Sequence, residues 1–165
     1  MTQRPTCKQA LTAFVERRLA EWTGLPPGCR LDDLTASAPL ANEGIGSGVV
    51  GGRPLQYRMV VASGYPRPVR AWLDGDALVI LDAEYPDPTG RLVTEIERLG
   101  EPEARLDTTW EVLELRGAEW VYPSRGIAAF VNPDNRIVLR LVGFGPTTLP
   151  DYLGRLRLSR GYREH

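Results

Sequence analysis

The chain has 165 residues and a mass of 18.3 kDa, the size of one ordinary domain. It is 42% apolar and 25% charged, near the average of soluble globular proteins, so collagen-like, coiled-coil and disordered classes are excluded. A net charge of −1 supplies no global field that would attract nucleic acid or an anionic membrane, and neither partner is expected. The only histidine is the last residue, His165, which nearly excludes a buried histidine triad or a multi-histidine metal site.

Compartment and redox state follow from what the sequence contains. Its first residues include no apolar export segment, and no stretch approaches the roughly 20 apolar residues that span a bilayer, so a cytoplasmic protein is expected. Cys7 and Cys29 could pair, but two cysteines without an export signal are more often free thiols. Lys8 is the one lysine among 20 basic residues, which, with 17 Gly and 14 Pro, indicates a GC-rich coding bias of bacterial type. No cofactor is expected.

The first elements in chain order are a helix and a glycine-rich segment. Thr6 and Gln9 match a capping box, and apolar residues at helical spacing predict a helix over 7–22. The segment 46–51 matches the phosphate-binding pattern GxGxxG, but no strand is predicted before it and no helix after it. It is therefore interpreted as a flexible hairpin loop.

Alternating apolar and polar residues then predict mostly strands. Three lie near 55–61, 69–73 and 78–83, and Asp74-Gly75-Asp76 is a hairpin signal between the last two. A second helix is predicted over 91–99, and the later strands and a short ambiguous element fall near 109–115, 118–122, 126–132, 136–143 and 149–158. Since few helices separate the strands, the expected fold is α+β, with an antiparallel sheet or sheets and the helices packed on one face.

A weak internal repeat divides the chain into two units. The segment 28–34 aligns with 90–96, and 71–74 aligns with 129–132. These matches predict two tandem helix-plus-sheet repeats in one compact domain. The expected parts are an N-terminal helix over 1–27, a first unit over 28–86 and a second unit, with a C-terminal tail, over 87–165.

One pattern in the second unit resembles a known family. The pattern is Gly-x₅-Ile-x₂-Leu-Gly-x-Pro, formed by Gly90, Ile96, Leu99, Gly100 and Pro102. It resembles the small BamE/SmpA-type modules, two of which occur in tandem in the β-lactamase inhibitor protein. The resemblance implies strands after a helix that ends at the Leu-Gly-x-Pro break. It also implies a protein-binding scaffold without catalysis.

The candidate binding residues are arginines and aromatic residues on the predicted strands. Trp72 and Arg70 lie at alternate positions of one predicted strand and therefore point to the same, more polar side of it. A Trp in this position is typical either of an interface anchor or of a core aromatic packed against the helices. The full set of candidates is Arg58, Arg70, Trp72, Trp120, Tyr122, Phe130 and Arg140. They favour a non-catalytic module of the inhibitor, immunity or adaptor type that binds a protein partner through an exposed sheet face.

The alternative is a small-molecule-binding protein or a small acid/base enzyme. An apolar pocket between sheet and helices, lined by Tyr57, Trp72, Trp110 and Phe130, would take a small apolar ligand. Acid/base chemistry would then fall to the carboxylates Asp82, Glu84 and Glu114. Asp82 and Glu84 alternate on one strand face and could also hold a metal, but strand ends often carry such residues for solubility, and no metal site is predicted.

Overall fold

The computed structural model describes residues 4–87, 89–110, 115–132 and 134–158. Within these ranges, eight antiparallel strands form one sheet in the order β1-β2-β3-β4-β8-β7-β6-β5. In chain order they are β1 Leu40–Val50, β2 Arg53–Val60, β3 Val69–Asp74, β4 Ala77–Glu84, β5 Ala104–Trp110, β6 Leu115–Tyr122, β7 Ile127–Val131 and β8 Val138–Phe144. The α+β class with an antiparallel sheet is confirmed.

The sheet consists of two four-stranded meanders that meet at its centre. Strands β1 to β4 follow one another in space, β5 to β8 do the same, and β4 pairs with β8. Asp82 of β4 lies opposite Val142 of β8 in this central pairing. Strands β1 and β5 are therefore the two outer strands, and the central strands β4 and β8 have neighbours on both sides.

Short helices cover the sheet unequally. Helices α1 (Cys7–Val15), α2 (Leu31–Thr35) and α3 (Leu92–Glu97) pack on one side, here called the helical face. Helix α4 (Leu149–Asp151) continues as a π-helical turn and packs on the opposite side, here called the second face. The expectation of helices on one face thus holds for α1 to α3 only. Among the described residues, no helix is long and apolar enough to cross a lipid bilayer.

Helix α1 is shorter than the sequence predicts. The Thr6–Gln9 capping box is confirmed, but α1 ends at Val15 because Arg17 adopts a left-handed φ of 57°. The Arg17 N–H donates to Phe14 O at 2.9 Å and the Arg18 N–H to Ala13 O at 2.8 Å, as in a Schellman motif. The chain then turns, and the fully buried Trp22 donates from Nε1 to Gly126 O at 2.9 Å.

The glycine-rich segment is a strand, which corrects the interpretation as a flexible loop. Its residues up to Val50 belong to β1, and only Gly51 and Gly52 form the turn into β2, with φ of 58° and 77°. The Tyr57 ring lies where a Cβ on Gly46 would sit, so a side chain at this position would have to displace that ring. The alternating glycines thus leave the second face of β1 almost without side chains.

Cys7 and Cys29 form a disulfide, so the expectation of free thiols is wrong. Their Cα atoms are 5.5 Å apart although 22 residues separate them in sequence. Packing of α1 against α2 brings them together, and Thr12 Oγ1 and Ser37 Oγ also meet there at 2.9 Å. The cytoplasmic localisation that the sequence predicts stays a prediction.

Candidate functional site

Four charged side chains, of which three are buried and Glu84 is partly exposed, form an ion cluster on the second face, at the centre of the sheet. Arg70 and Asp82 are cross-strand neighbours on β3 and β4, and Glu84 and Arg140 are neighbours on β4 and β8. Arg70 Nη1 lies 3.3 Å from Asp82 Oδ2 and 3.2 Å from Glu84 Oε1. Arg140 Nε lies 3.0 Å from Asp82 Oδ1, and its Nη2 lies 2.6 Å from Glu84 Oε1. Each carboxylate therefore contacts both arginines.

Aromatic rings enclose this ion cluster. The Arg70 guanidinium lies 4.6 Å from the centre of the Tyr57 ring and 6.0 Å from that of Trp72. Trp72 also donates from Nε1 to Asp82 Oδ2 at 3.4 Å. Because the four charges compensate one another and three of them are buried, the ion cluster acts as a polar part of the core.

Glu84 of the ion cluster is poorly suited to donate a proton. Burial alone would raise the pKa of Glu84, but the charges and hydrogen bonds of Arg140 and Arg70 outweigh it and hold this pKa below its usual value. Glu84 is therefore ionised near neutral pH and has no proton to give. If Glu84 acted as a base, the incoming proton would compete with two guanidinium groups for the Glu84 carboxylate oxygens.

A second buried carboxylate, Glu119 of β6, lies on the same face beside the C-terminal turn. It accepts hydrogen bonds from the hydroxyl of Tyr152 and from Arg157 Nε, the latter at 2.7 Å. Burial raises the pKa of Glu119, and these two partners offset only part of the effect. Burial and the neighbouring Glu119 also raise the pKa of Tyr152. Glu119 was not singled out in the sequence, although it shares its strand parity with the apolar Val121.

We expect Glu119→Gln to flatten the pH dependence of stability. Unfolded, Glu119 loses its proton near pH 4.3, and folded it keeps the proton to higher pH. The unfolded state therefore binds fewer protons just above about pH 4.3, so Glu119 makes stability fall as pH rises there. Glutamine removes this titration. Urea unfolding between pH 4 and pH 7 measures the difference in stability between variant and wild type.

The control for this titration is Glu101→Gln, because the side chain of Glu101 is 87% exposed. We expect the Glu119→Gln variant to gain stability relative to wild type with rising pH, while the control stays parallel to wild type. A constant difference between Glu119→Gln and wild type across this range would contradict the raised pKa.

The structure divides the candidate binding residues between the two faces. On the second face, Arg70, Trp72, Phe130 and Arg140 come together with the alternative acid/base residues Asp82 and Glu84. Trp72 and Phe130 are 0% and 1% exposed, so both rings lie in the core rather than on an open sheet surface. Glu114 lies outside the described residues.

Three candidates lie on the helical face instead. Arg58 is the cross-strand neighbour of Ala71, which belongs to the core under the helices. Trp120 packs at the border of that core, with Arg105 over its ring at 5.3 Å. Tyr122 is buried and donates from its hydroxyl to Gly100 O at 3.0 Å, which fixes the chain after α3.

A small cavity of about 220 Å³ opens beside the ion cluster, lined by Met59, Arg67, Pro68, Arg70, Asp82 and Glu84. Arg67 at its mouth stacks over the Tyr85 ring at 4.8 Å. Pockets for drug-sized ligands usually exceed about 300 Å³ and hold only a few polar groups, whereas this cavity is smaller and four of its six lining side chains are charged. Tyr57, Trp72 and Phe130, predicted to line an apolar pocket, pack into the core of the second face. The side chain of Trp110 is not described.

The open surface of the sheet is at strand β1. Five large apolar side chains are exposed among the described residues, and four of them lie on β1 or directly after β2. They are Leu40, Ile45, Val49 and Val61, exposed by 41%, 76%, 39% and 51%. The fifth, Leu153, lies on the C-terminal turn. Sequence reasoning missed this surface because the segment was interpreted as a loop.

The exposed side chains of β1 share one face. Leu40 lies opposite Val60, a residue of the core under the helices, and Ile45 lies opposite Arg58. Ser47 and Val49 follow at alternate positions, so they point to the same side as Ile45. We call this surface, formed by Leu40, Ile45, Ser47, Val49 and the neighbouring Arg58, the β1 edge surface.

No described part of the chain groups three or more histidine, cysteine or carboxylate residues in a way that could hold a metal ion. Comparison of the chain with known protein families, with curated proteins and with solved structures finds no match to any of them. The resemblance to BamE/SmpA-type modules therefore stays a prediction.

Proposed function

We propose that this protein is a non-catalytic protein-binding module that pairs an extended segment of its partner with strand β1. The observation that carries the proposal is the concentration of exposed apolar side chains on this outer strand. The free N–H and C=O groups of an outer strand are a ready template for another strand, and main-chain hydrogen bonds then supply affinity. The proposal keeps the inhibitor, immunity or adaptor type that the sequence favours and moves the binding surface to the β1 edge surface.

The two outer strands differ in how well they resist pairing. Strand β5 carries the exposed charged residues Arg105 and Asp107, which discourage the addition of another strand. The six residues from Ile45 to Val50 in β1 contain no charge and no proline. This contrast favours β1 over β5 as the binding strand.

The test is a capture experiment with matched variants. We expect wild-type protein to retain a stoichiometric partner from lysate of the source cells, and the double variant Ile45→Lys/Val49→Lys to lose it at least tenfold. Two lysines on an outer strand leave the fold intact but oppose strand addition by charge and by lost apolar contact. Quantitative mass spectrometry of the captured proteins measures the loss.

The matched control is Leu153→Lys, which changes an apolar residue as exposed as Val49 and far from the β1 edge surface in sequence. It should retain the partner as the wild type does. Recovery of no stoichiometric partner, or equal recovery by the double variant, would contradict the proposal.

We also propose that the two meanders are a duplicated unit. Each follows a short helix, α2 or α3, and each contributes one strand to the central β4–β8 pairing. A register shift follows Trp72 in the β3–β4 pair, and one follows Phe130 in the β7–β8 pair. These two residues are the ones that the repeat alignment matches, which supports the proposal.

A further inference from the structure

Beside the β1 edge surface, Arg58 is a cation for which the described residues supply no carboxylate partner. It is half-buried on β2, directly opposite Ile45. Other strand arginines are paired: Arg53 with Asp74 at 3.4 Å and Arg105 with Glu101 at 3.2 Å. In the described part of the chain, no carboxylate pairs with Arg58. A half-buried guanidinium is stabilised most by a charge-assisted hydrogen bond to a carboxylate.

We propose that the partner segment carries a carboxylate side chain between two apolar side chains at alternate positions, and that Arg58 binds this carboxylate. The inference rests on the proposed function, because it needs an added strand outside β1. On the shared face of that strand, three successive side chains would lie opposite Ile45, Ser47 and Val49. The outer two would be apolar and the central one an aspartate or glutamate.

The position opposite Ser47 suits the carboxylate for two reasons. Ser47 is small and exposed between Ile45 and Val49, so it leaves room for a side chain to cross β1 towards Arg58. Ser47 lies opposite Gln56, two residues from Arg58 on β2, so two strand spacings of about 4.8 Å and an offset of about 7 Å along the strand separate Arg58 from the residue that carries the carboxylate. An extended arginine and an extended glutamate, approaching from the two sides, bridge that distance together.

A second copy of this chain is a poorer occupant of the same surface. The register of β1 shifts between Leu40 and Ile45, so the regular part of the outer strand runs from Ile45 to Val50. This part reads Ile-Gly-Ser-Gly-Val-Val and contains no carboxylate to place beside Arg58. Charge complementarity therefore favours a different protein that contributes an acidic extended segment.

The experiment is a selection from a phage-displayed library of ten-residue peptides. Each peptide has three freely chosen positions separated by single threonines, so that it favours the extended conformation of an added strand. Against wild-type protein, we expect Asp and Glu to be enriched about tenfold at the central free position, with apolar residues on both sides. Against Arg58→Glu, we expect Lys and Arg there instead, and against Arg58→Gln no charge preference. Circular dichroism and thermal unfolding establish that both variants fold.

The Ile45→Lys/Val49→Lys variant separates the two proposals. One outcome would overturn the role of Arg58 while supporting the proposed function. In it, strand-forming peptides bind wild type but not this variant, and they show no preference for an acid. Failure to select any peptide, or selection that this variant leaves unchanged, would overturn both. Sedimentation that shows a dimer of the wild type but not of this variant would overturn the acidic partner in favour of a second copy.

Discussion

Arg140→Met is expected to lower the free energy of unfolding by about 3–5 kcal/mol. Arg140 is 2% exposed and contacts both Asp82 and Glu84, so its loss leaves the buried Asp82 and the partly exposed Glu84 with Arg70 as their shared cation. Methionine fills similar space without charge, so the loss reports the uncompensated charge more than a cavity. Urea unfolding at neutral pH measures the change.

Two further variants show whether this loss comes from the ion cluster. Arg53→Met breaks an ion pair whose carboxylate, Asp74, is exposed and should cost less than about 1 kcal/mol. The double variant Arg140→Met/Asp82→Leu should lose less than the sum of the two single variants, because it removes a cation and an anion together. A change of less than about 1 kcal/mol in Arg140→Met would mean that the four charges do not act as a buried unit.

Replacing both cysteines with serine is the second large effect, a loss of about 3 kcal/mol in the free energy of unfolding. The bond between Cys7 and Cys29, 22 residues apart, restricts the unfolded chain, and a loop of this length gives about that stabilisation. It also joins the start of α1 to the segment before α2, where Cys29 is 1% exposed. Urea unfolding of the oxidised wild type and of the double variant gives the difference.

Reductant provides an internal control for this disulfide. It should destabilise the wild type towards the level of the serine variant and leave the variant unchanged. Titration with a thiol reagent should find no free thiol in the native, non-reduced wild type. Two reactive thiols, or equal stabilities of wild type and variant, would contradict the disulfide.

The sequence predicts the regular elements well where polar and apolar residues alternate and turns are marked. Strands β2, β3, β4, β6, β7 and β8 lie near their expected positions, with Asp74-Gly75-Asp76 at the β3–β4 turn. Strand β5 begins earlier than predicted, at Ala104. Strand β1 was not predicted because glycine at every second position removes the apolar alternation. In the structure, the Tyr57 ring packs against Gly46 of this strand. The early end of α1 depends on the left-handed Arg17, which no local pattern indicates.

The ion cluster could not be predicted as a unit, although each of its residues was a candidate. Arg70 and Arg140 were assigned to partner binding, and Asp82 and Glu84 to acid/base chemistry. Their assembly depends on the pairing of β4 with β8, which brings together residues 56 positions apart such as Glu84 and Arg140. Arg58 separates from them because strand parity places it on the other face of the sheet.

The measurement that tests the central claim most directly is hydrogen–deuterium exchange of the backbone amides, with and without the peptide selected on the wild type. Strand addition outside β1 should slow exchange at the amides of Ile45 to Val50 that face away from β2, and leave the amides of β5 unchanged. Protection confined to β5, or to the C-terminal turn beside Tyr152, would contradict binding through β1.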